Sequence, residues 1–232
     1  WFQLYCVRDR GITRALVERA ETSGYSALCL TVDAPLLGRR ERDVRNEFKL
    51  PDGMSMKNLE SLPQESLTKV SEGSALEAYF TGQLDSSLTW ESIEWFRSLT
   101  RLPILLKGVM AAEDAKLAVE SGVEGIIVSN HGGRQLDGTM ATCDALPEIV
   151  DAVAGQAEVF VDGGIRRGAD VLKALAMGAR AVLIGRPYLW GLSVGGEDGV
   201  RQILELLRAE LSLSMAVSGR PTIDSIDRTL IA

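Results

Sequence analysis

The sequence is poor in the residues and patterns that mark several common classes of protein. Among its 232 residues are one histidine and three cysteines, and Cys6, Cys29 and Cys143 form no CxxC pair. We therefore expect three reduced, buried thiols rather than a disulfide framework or a metal site. No apolar run approaches the roughly 20 residues that span a bilayer, and no N-terminal signal pattern is present. The net charge of −7 lacks the positive field of a nucleic-acid-binding protein.

What the sequence does contain is a regular alternation of apolar runs, which predict strands, and amphipathic runs, which predict helices. The predicted strands cover residues 1–5, 27–32, 103–108, 125–130, 158–164 and 181–186. Helices are predicted between Asp9 and Gly24 and at about 89–100, 112–121, 144–153, 169–178 and 197–215. Strands that are apolar throughout are typical of parallel sheets covered on both faces. The pattern predicts an α/β fold, either a doubly wound sheet or a (β/α)8 barrel with about six of its eight βα units present.

Two features concern the extent of this fold. The chain begins with Trp1 inside a predicted strand, so we expect upstream sequence to supply the two missing strands. Residues 34–88 are polar and irregular, and loops of that length within a domain are usually functional or mobile. We therefore predict a single barrel domain over 1–232, incomplete at its N-terminus, with a long active-site loop region at 34–88.

Polar or ionisable residues lie at the carboxyl end of every predicted strand. They are, in chain order, Gln3 and Tyr5, Thr31 and Asp33, Lys107, Ser129 with Asn130 and His131, Asp162, and Gly185 with Arg186. In barrels this end of the strands carries the active site. A lysine that follows the run ILL would also be costly to bury without a partner. The convergence predicts a functional site, although an ordinary polar rim would place polar residues there too.

Two of these strand ends lead into glycine-rich loops. One covers Asp162, Gly163, Gly164, Ile165 and Arg166, and the other covers Gly185 and Arg186. In barrels the last two βα loops commonly bind phosphate through backbone N–H groups and a helix N-terminus. The two loops therefore predict a phosphorylated ligand, with the two arginines adding positive charge.

The histidine lies in a second cluster with a different chemistry. His131 directly follows a predicted buried strand, and Arg134 comes three residues later. An imidazole can take a proton, and a guanidinium can hold a carboxylate through two hydrogen bonds. Asp33 could orient the imidazole, and Arg39 and Arg40 could supply a second anion contact. The cluster predicts a base beside a small carboxylate substrate, although a lone histidine is more often structural.

Together these residues resemble a known family, the FMN-dependent 2-hydroxy-acid oxidases and dehydrogenases, which include glycolate oxidase and the animal hydroxyacid oxidases. The resemblance covers essentially the whole chain, and the stretch SNHGGRQLD at 129–137 is its most specific part. The other matching segments are FQLY (2–5), TVDAPLLGRR (31–40), LPILLKGV (102–109), VDGGIRRGADVLKALAMGA (161–179) and IGRP (184–187). The resemblance implies the TIM (β/α)8 barrel fold and FMN as the cofactor.

The resemblance also implies a role for each candidate residue. His131 is the catalytic base, and Asp33 stabilises its imidazolium form. Substrate contacts are implied for Tyr5, Leu37, Arg40 and Arg134. Cofactor contacts are implied for Gln3, Thr31, Lys107 and Ser129 at the flavin ring, and for Asp162, Gly163, Gly164, Ile165, Arg166, Gly185 and Arg186 at the ribityl and phosphate groups.

The implied reaction converts an (S)-2-hydroxy acid to a 2-oxo acid, with oxygen reduced to hydrogen peroxide. By the same resemblance we expect a homotetramer or octamer when the protein is full length, with no membrane or nucleic-acid partner. A peroxisomal location is implied too, although the chain ends in TLIA rather than an SKL-like tripeptide, and the cytoplasm is the alternative. Two other hypotheses remain open: a flavin-independent, phosphate-binding barrel enzyme, and an inactive truncated barrel.

Overall fold

The computed structural model describes residues 1–54, 56–57 and 82–231. Its six strands form one sheet in chain order. They are β1 (Phe2–Leu4), β2 (Leu28–Thr31), β3 (Ile104–Val109), β4 (Gly125–Val128), β5 (Glu158–Val161) and β6 (Ala181–Val182). The pairs β1–β2, β4–β5 and β5–β6 are parallel, as the continuous apolar runs predict. β2 and β4 are buried along their whole length, which explains why neither alternates polar with apolar residues.

Seven α-helices are present in the described part of the chain. They are α1 (Arg10–Thr22), α2 (Glu41–Arg45), α3 (Ser92–Leu99), α4 (Ala112–Glu120), α5 (Thr142–Val153), α6 (Gly168–Ala176) and α7 (Arg186–Val217). Asp9 caps the N-terminus of α1, since its carboxylate accepts hydrogen bonds from the N–H groups of Gly11 and Ile12. None of the described helices is long and apolar enough to cross a membrane.

The last βα unit differs from the prediction. β6 is only two residues long, and α7 begins at Arg186, well before residue 197. Pro187 lies in the first turn, where its fixed φ angle favours helix initiation and its missing N–H is not needed. The helix is interrupted at Gly195 and Gly196, and the φ of +58° at Gly196 explains why the sequence pattern was clear only beyond that point.

The prediction of three buried thiols is wrong for one of them. Cys6 and Cys29 are buried, whereas Cys143 is exposed near the start of α5. Helix α5 turns its buried face through Ala145, Leu146 and Ile149, which leaves position 143 on the opposite side.

The chain divides into two compact units with separate cores. The first comprises Trp1–Leu106 and Arg134–Asp137, and its core includes Leu4, Leu28 and Phe96. The second comprises Lys107–Gly133 and Gly138–Ala232, and its core includes Ile127 and Leu146. The single domain predicted over 1–232 stays a prediction, and residues 55 and 58–81 of the loop region predicted at 34–88 lie outside the described residues.

Candidate active site

Three polar side chains from neighbouring strand ends of the second unit meet in what we call the strand-end cluster: Lys107, Ser129 and Asp162. The Lys107 Nζ donates to Ser129 Oγ at 3.0 Å and pairs with Asp162 Oδ2 at 3.2 Å. The side chains of the ion pair are 8% and 16% exposed. The lysine that the sequence places after ILL is therefore buried with a partner, which is the condition for burying its charge at tolerable cost.

The other carboxylate oxygen of Asp162 carries a signal for a ligand. Oδ1 is the buried side-chain polar atom that has no hydrogen-bond partner among the described residues. An unsatisfied buried acceptor costs about 1–3 kcal/mol, so such atoms are rare unless a donor from a ligand or water completes them. A hydroxyl-bearing ligand at this strand end would supply that donor.

The turn that carries His131 is held by its two preceding residues. The His131 backbone N–H donates to Ser129 Oγ at 3.1 Å, so Ser129 links His131 to the strand-end cluster. Asn130 Oδ1 accepts from the N–H groups of Gly132 at 3.1 Å and Gly133 at 3.3 Å. His131 itself adopts a φ of +57°, a backbone conformation that residues other than glycine rarely take. The positioning role of Asn130 was missed, and its signal was an asparagine directly before a turn that ends in two glycines.

The first glycine-rich loop has the backbone freedom that the sequence predicts. Gly163 and Gly164 have φ values of +86° and +75°, and a Cβ on Gly163 would lie 2.9 Å from Thr142 Oγ1. Thr142 donates to the Asp162 carbonyl oxygen at 2.6 Å and so fixes the start of the loop. Thr142 was absent from the predicted site.

The following N–H groups of this loop are already engaged by carboxylates. Asp170 Oδ2 accepts from the N–H groups of Arg166 at 3.0 Å and Arg167 at 2.9 Å. Glu210 Oε2 accepts from the Gly168 N–H at 2.8 Å. A phosphate bound here would therefore rely on the preceding glycines and on arginine side chains rather than on the N-terminus of α6.

Arg186 connects the second glycine-rich loop with the histidine turn. It opens α7, whose N-cap Gly185 provides no side-chain bond. Its Nη2 donates to the Gly132 carbonyl oxygen at 2.9 Å. Arg166 and Arg186 are both exposed, and Ile165 in the first loop is buried. Positive side chains beside a helix N-terminus are suited to an anion such as phosphate.

The first unit contains what we call the arginine cluster: Tyr5, Asp33, Arg40 and Arg134. Burial and the negative charge of Asp33 raise the pKa of the Tyr5 phenol, while Arg40 and Arg134 act in the opposite direction. These influences place the four groups in one electrostatic environment. Tyr5 is thus a neutral hydrogen-bond donor near pH 7 beside two guanidinium groups, a combination that suits a carboxylate.

Gln3 and Arg40 are tied to their surroundings by hydrogen bonds. Gln3 Nε2 donates to Thr31 Oγ1 at 3.1 Å and to the Tyr5 hydroxyl at 3.4 Å. Arg40 Nη1 donates to the carbonyl oxygens of Arg134 and, at 2.8 Å, Gly38. Leu37, the predicted pocket wall, is half-buried in the same loop.

The structure therefore gathers the predicted residues into two sets, one in each unit. The predicted pairing of His131 with Asp33 joins residues of different units and stays a prediction. Among the described residues, no group of three or more His, Cys, Asp and Glu side chains is placed to hold a metal ion.

Comparison with known proteins gives a consistent result over the whole chain. Residues 1–232 match the family described as FMN-dependent dehydrogenase. The chain is 57% identical over 231 residues to an L-lactate oxidase of Nostoc sp., and 52% identical over 236 residues to the 2-hydroxyacid oxidase 1 of Homo sapiens. All of the chain is covered in both cases, but only 63% of each relative.

Solved structures agree with this result. The structure of a mandelate oxidase with (S)-4-hydroxymandelic acid matches with a TM-score of 0.91 and 48% identity, covering 97% of this chain and 63% of that one. The expected fold class is confirmed: an α/β fold of the TIM-barrel family with six of the eight βα units. A flavin-independent barrel enzyme is not favoured.

Proposed function

Because the chain belongs to the family of FMN-dependent dehydrogenases, we propose that its protein oxidises a small (S)-2-hydroxy acid to the 2-oxo acid and reduces oxygen to hydrogen peroxide. The observation that carries this proposal is the arginine cluster, in which Arg40 is hydrogen-bonded to the backbone of Arg134 and the charges of Asp33, Arg40 and Arg134 act on the Tyr5 phenol. Two guanidinium groups and a neutral phenol are suited to a carboxylate that carries a neighbouring hydroxyl group.

The residues of the second unit fit FMN, the cofactor of this family. The buried, unpartnered Asp162 Oδ1 matches a ribityl hydroxyl donor, and the exposed Arg166 and Arg186 match a phosphate. We propose that Asp162, Gly163, Gly164, Ile165, Arg166, Gly185 and Arg186 hold these groups, and that Gln3, Thr31, Lys107 and Ser129 hold the ring. FMN, when bound, supplies the acceptor for two electrons.

The carboxylate contacts orient the substrate. Arg40 and Arg134 bind the carboxylate, Tyr5 donates a hydrogen bond to the substrate, and Leu37 forms a wall of the pocket. Fixing the carboxylate at two or more points leaves the hydroxyl-bearing carbon little freedom to rotate. Arg40 is prepared for this task because its guanidinium is already held by the backbone of Gly38 and Arg134.

His131 is proposed as the base that accepts the proton of the substrate hydroxyl. The hydroxyl-bearing carbon also loses its hydrogen, either as a hydride or as a proton followed by two electrons. The two electrons pass to the acceptor that FMN supplies, and the carbonyl of the 2-oxo acid forms as the O–H and C–H bonds break. The hydrogen bond from the His131 backbone N–H to Ser129 Oγ fixes the backbone from which the imidazole extends. Asp33 is proposed to stabilise the imidazolium ion that results.

Three further properties are proposals of the same origin. We propose oxygen as the electron acceptor, a homotetramer or octamer as the assembly, and the peroxisome as the location, with the cytoplasm as the alternative. They rest on the family resemblance rather than on a feature of the described residues.

The proposed function is tested by replacing the base while keeping the cofactor site. In His131→Gln we expect about a 10³-fold loss in the rate at which glycolate or a longer 2-hydroxy acid reduces the bound flavin, since a general base typically contributes 10²–10⁴-fold. The affinity for FMN, measured by fluorescence quenching, should be unchanged. Parent protein that forms no 2-oxo acid and hydrogen peroxide in equal amounts would overturn the proposal, and an unchanged rate in the variant would overturn the role of His131.

A further inference from the structure

Gln135 lies at the centre of a hydrogen-bond network that joins two loops of the first unit. Its Nε2 donates to the carbonyl oxygens of Asp33 at 2.8 Å and Leu36 at 2.9 Å. Its Oε1 accepts from the Gly38 N–H at 3.0 Å and from Arg40 Nη2 at 3.2 Å. A primary amide has two N–H donors and an oxygen with two lone pairs, so these four bonds use its full capacity.

The backbones of the two loops are in direct contact at the same point. A Cβ on Gly38 would collide with the Arg134 carbonyl oxygen and would lie 2.6 Å from that of Gln135. Arg40 closes the arrangement by donating to the carbonyl oxygens of Arg134 and Gly38. The loop after β2 therefore cannot shift relative to residues 134–135 without breaking several hydrogen bonds.

Packing against the core supplies little of this order. Helix α2, which begins directly after Arg40, buries none of its residues. Leu36 and Arg39 are exposed, and Leu37, Gly38 and Arg40 are only half-buried. Ala34 is buried, but the rest of this loop depends largely on polar contacts, and Gln135 makes four of them.

We propose that Gln135 is a positioning residue that fixes Arg40 relative to Arg134 and thereby sets the affinity of the protein for the substrate carboxylate. The identity of that carboxylate rests on the proposed function. Recognition of a carboxylate by two guanidinium groups requires both to be held in place before the ligand arrives. Gln135 contacts the backbone and Arg40 rather than the reacting atoms, so it acts through the arginine cluster.

The test replaces Gln135 with methionine, which has a similar length and shape but cannot form the four bonds. In the FMN-loaded protein we expect at least a tenfold weaker affinity for glyoxylate, the 2-oxo acid derived from glycolate, and a tenfold higher KM for the 2-hydroxy acid. The kcat should stay within threefold and the FMN affinity within twofold of the parent values. Independently of turnover, amide hydrogen exchange at Gly38 should become at least tenfold faster.

Two further variants sharpen the result. Gln156→Met is the matched control, because Gln156 Nε2 makes one hydrogen bond, at 3.4 Å to the Val153 carbonyl oxygen; its ligand affinities and Gly38 exchange should equal those of the parent. Gln135→Glu keeps the acceptor for Gly38 and Arg40 but loses the donors to Asp33 and Leu36. The glutamate variant should keep the slow amide hydrogen exchange at Gly38 and lose only about threefold in glyoxylate affinity. It serves as the test if the methionine variant does not fold.

The outcomes separate this inference from the proposed function. Parent-like glyoxylate affinity and KM in Gln135→Met would overturn the positioning role. Equal exchange at Gly38 in parent and variant would overturn the network itself. If Gly38 protection depends on Gln135 while the parent oxidises no 2-hydroxy acid, the network is supported and the proposed function fails.

Discussion

The strand-end cluster and the arginine cluster are held in place by different forces. Lys107 lies within the buried strand β3 and Asp162 directly follows β5, and both side chains are largely removed from water. Arg40 lies on a half-buried loop and is fixed by hydrogen bonds to backbone carbonyls and to Gln135. Damage to the strand-end cluster should therefore reduce the stability of the fold, whereas damage to the arginine cluster should reduce ligand affinity first.

The largest effect on stability is expected from Lys107→Met. The substitution leaves the Asp162 carboxylate buried without its counter-ion, and breaking a buried pair in this way costs about 3–5 kcal/mol. The free energy of unfolding, measured by urea denaturation, should fall by that amount, and FMN affinity should fall with it. The double variant Lys107→Met with Asp162→Asn should recover part of the stability. A single variant as stable as the parent would show that this cluster is not part of the core.

The second prediction concerns Gly38→Ala in the loop of the arginine cluster. Since the added methyl group collides with backbone atoms of Arg134 and Gln135, the loop must move. We expect a loss of only about 1–3 kcal/mol in stability, as for other overpacked sites, but more than a tenfold loss in glyoxylate affinity. Gly195→Ala, where the methyl group meets open space, is the control. A loss in stability without a loss in glyoxylate affinity would contradict the expectation that damage to the arginine cluster reduces ligand affinity first.

A third prediction concerns the segment that returns to β1. Asp85 pairs with Arg10 at 2.7 Å and accepts hydrogen bonds from the Ser87 N–H and hydroxyl. Burial works to raise the pKa of Asp85, but the bonds from Ser87 and the charge of Arg10 together hold it below its ordinary value. The carboxylate therefore stabilises the fold above its unfolded-state pKa of about 3.9, and this contribution is lost as the pH falls through the lower folded-state pKa.

Asp85→Asn should accordingly lower the free energy of unfolding by about 1–2 kcal/mol at pH 7. The difference from the parent should shrink as the pH falls below about 4, where the parent carboxyl also becomes neutral. Asp52→Asn, at an exposed position, should be neutral throughout. A difference that does not depend on pH would mean that the charge of Asp85 has no part in the effect.

The smallest effect is expected from Tyr5→Phe. Because burial and Asp33 raise the folded-state pKa of Tyr5, its contribution to stability is complete below the unfolded-state pKa of about 10 and is lost as the pH rises through the higher folded-state value. The variant should differ from the parent by about 0.5–1 kcal/mol at pH 7 and should show a weaker decline in stability above pH 10. Tyr188→Phe, an exposed tyrosine on α7, should leave that decline unchanged.

The residues on the strands and beside their ends could be predicted from the sequence, because local sequence patterns determine where they lie. Continuous apolar runs located all six strands, and the polar residues near their carboxyl ends located Lys107 within β3 and Ser129 and Asp162 directly after β4 and β5. In such segments the burial of the strand fixes the direction of the next side chain. The prediction of a buried thiol failed at Cys143, since the residue type alone gives little indication of which helix face a cysteine occupies.

The arrangement of the loop residues depends on contacts between residues that are distant in the chain. Nothing near Gln135 in the sequence indicates that its amide reaches Asp33, Leu36 and Gly38, and the roles of Asn130 and Thr142 became clear only from their partners. The early start of α7 at Arg186 was likewise hidden, because two glycines interrupt its pattern. Hydrogen bonds of this kind have no periodicity, so the sequence pattern carries no signal for them.

We propose that the protein binds FMN and that a 2-hydroxy acid passes two electrons to the bound flavin. The most direct test is an anaerobic titration of the FMN-reconstituted protein with glycolate and with a longer 2-hydroxy acid, followed by the flavin absorbance. We expect at least one of these acids to bleach the flavin bands and oxygen then to restore them. Stable FMN binding with no bleaching by either acid would overturn the proposed function.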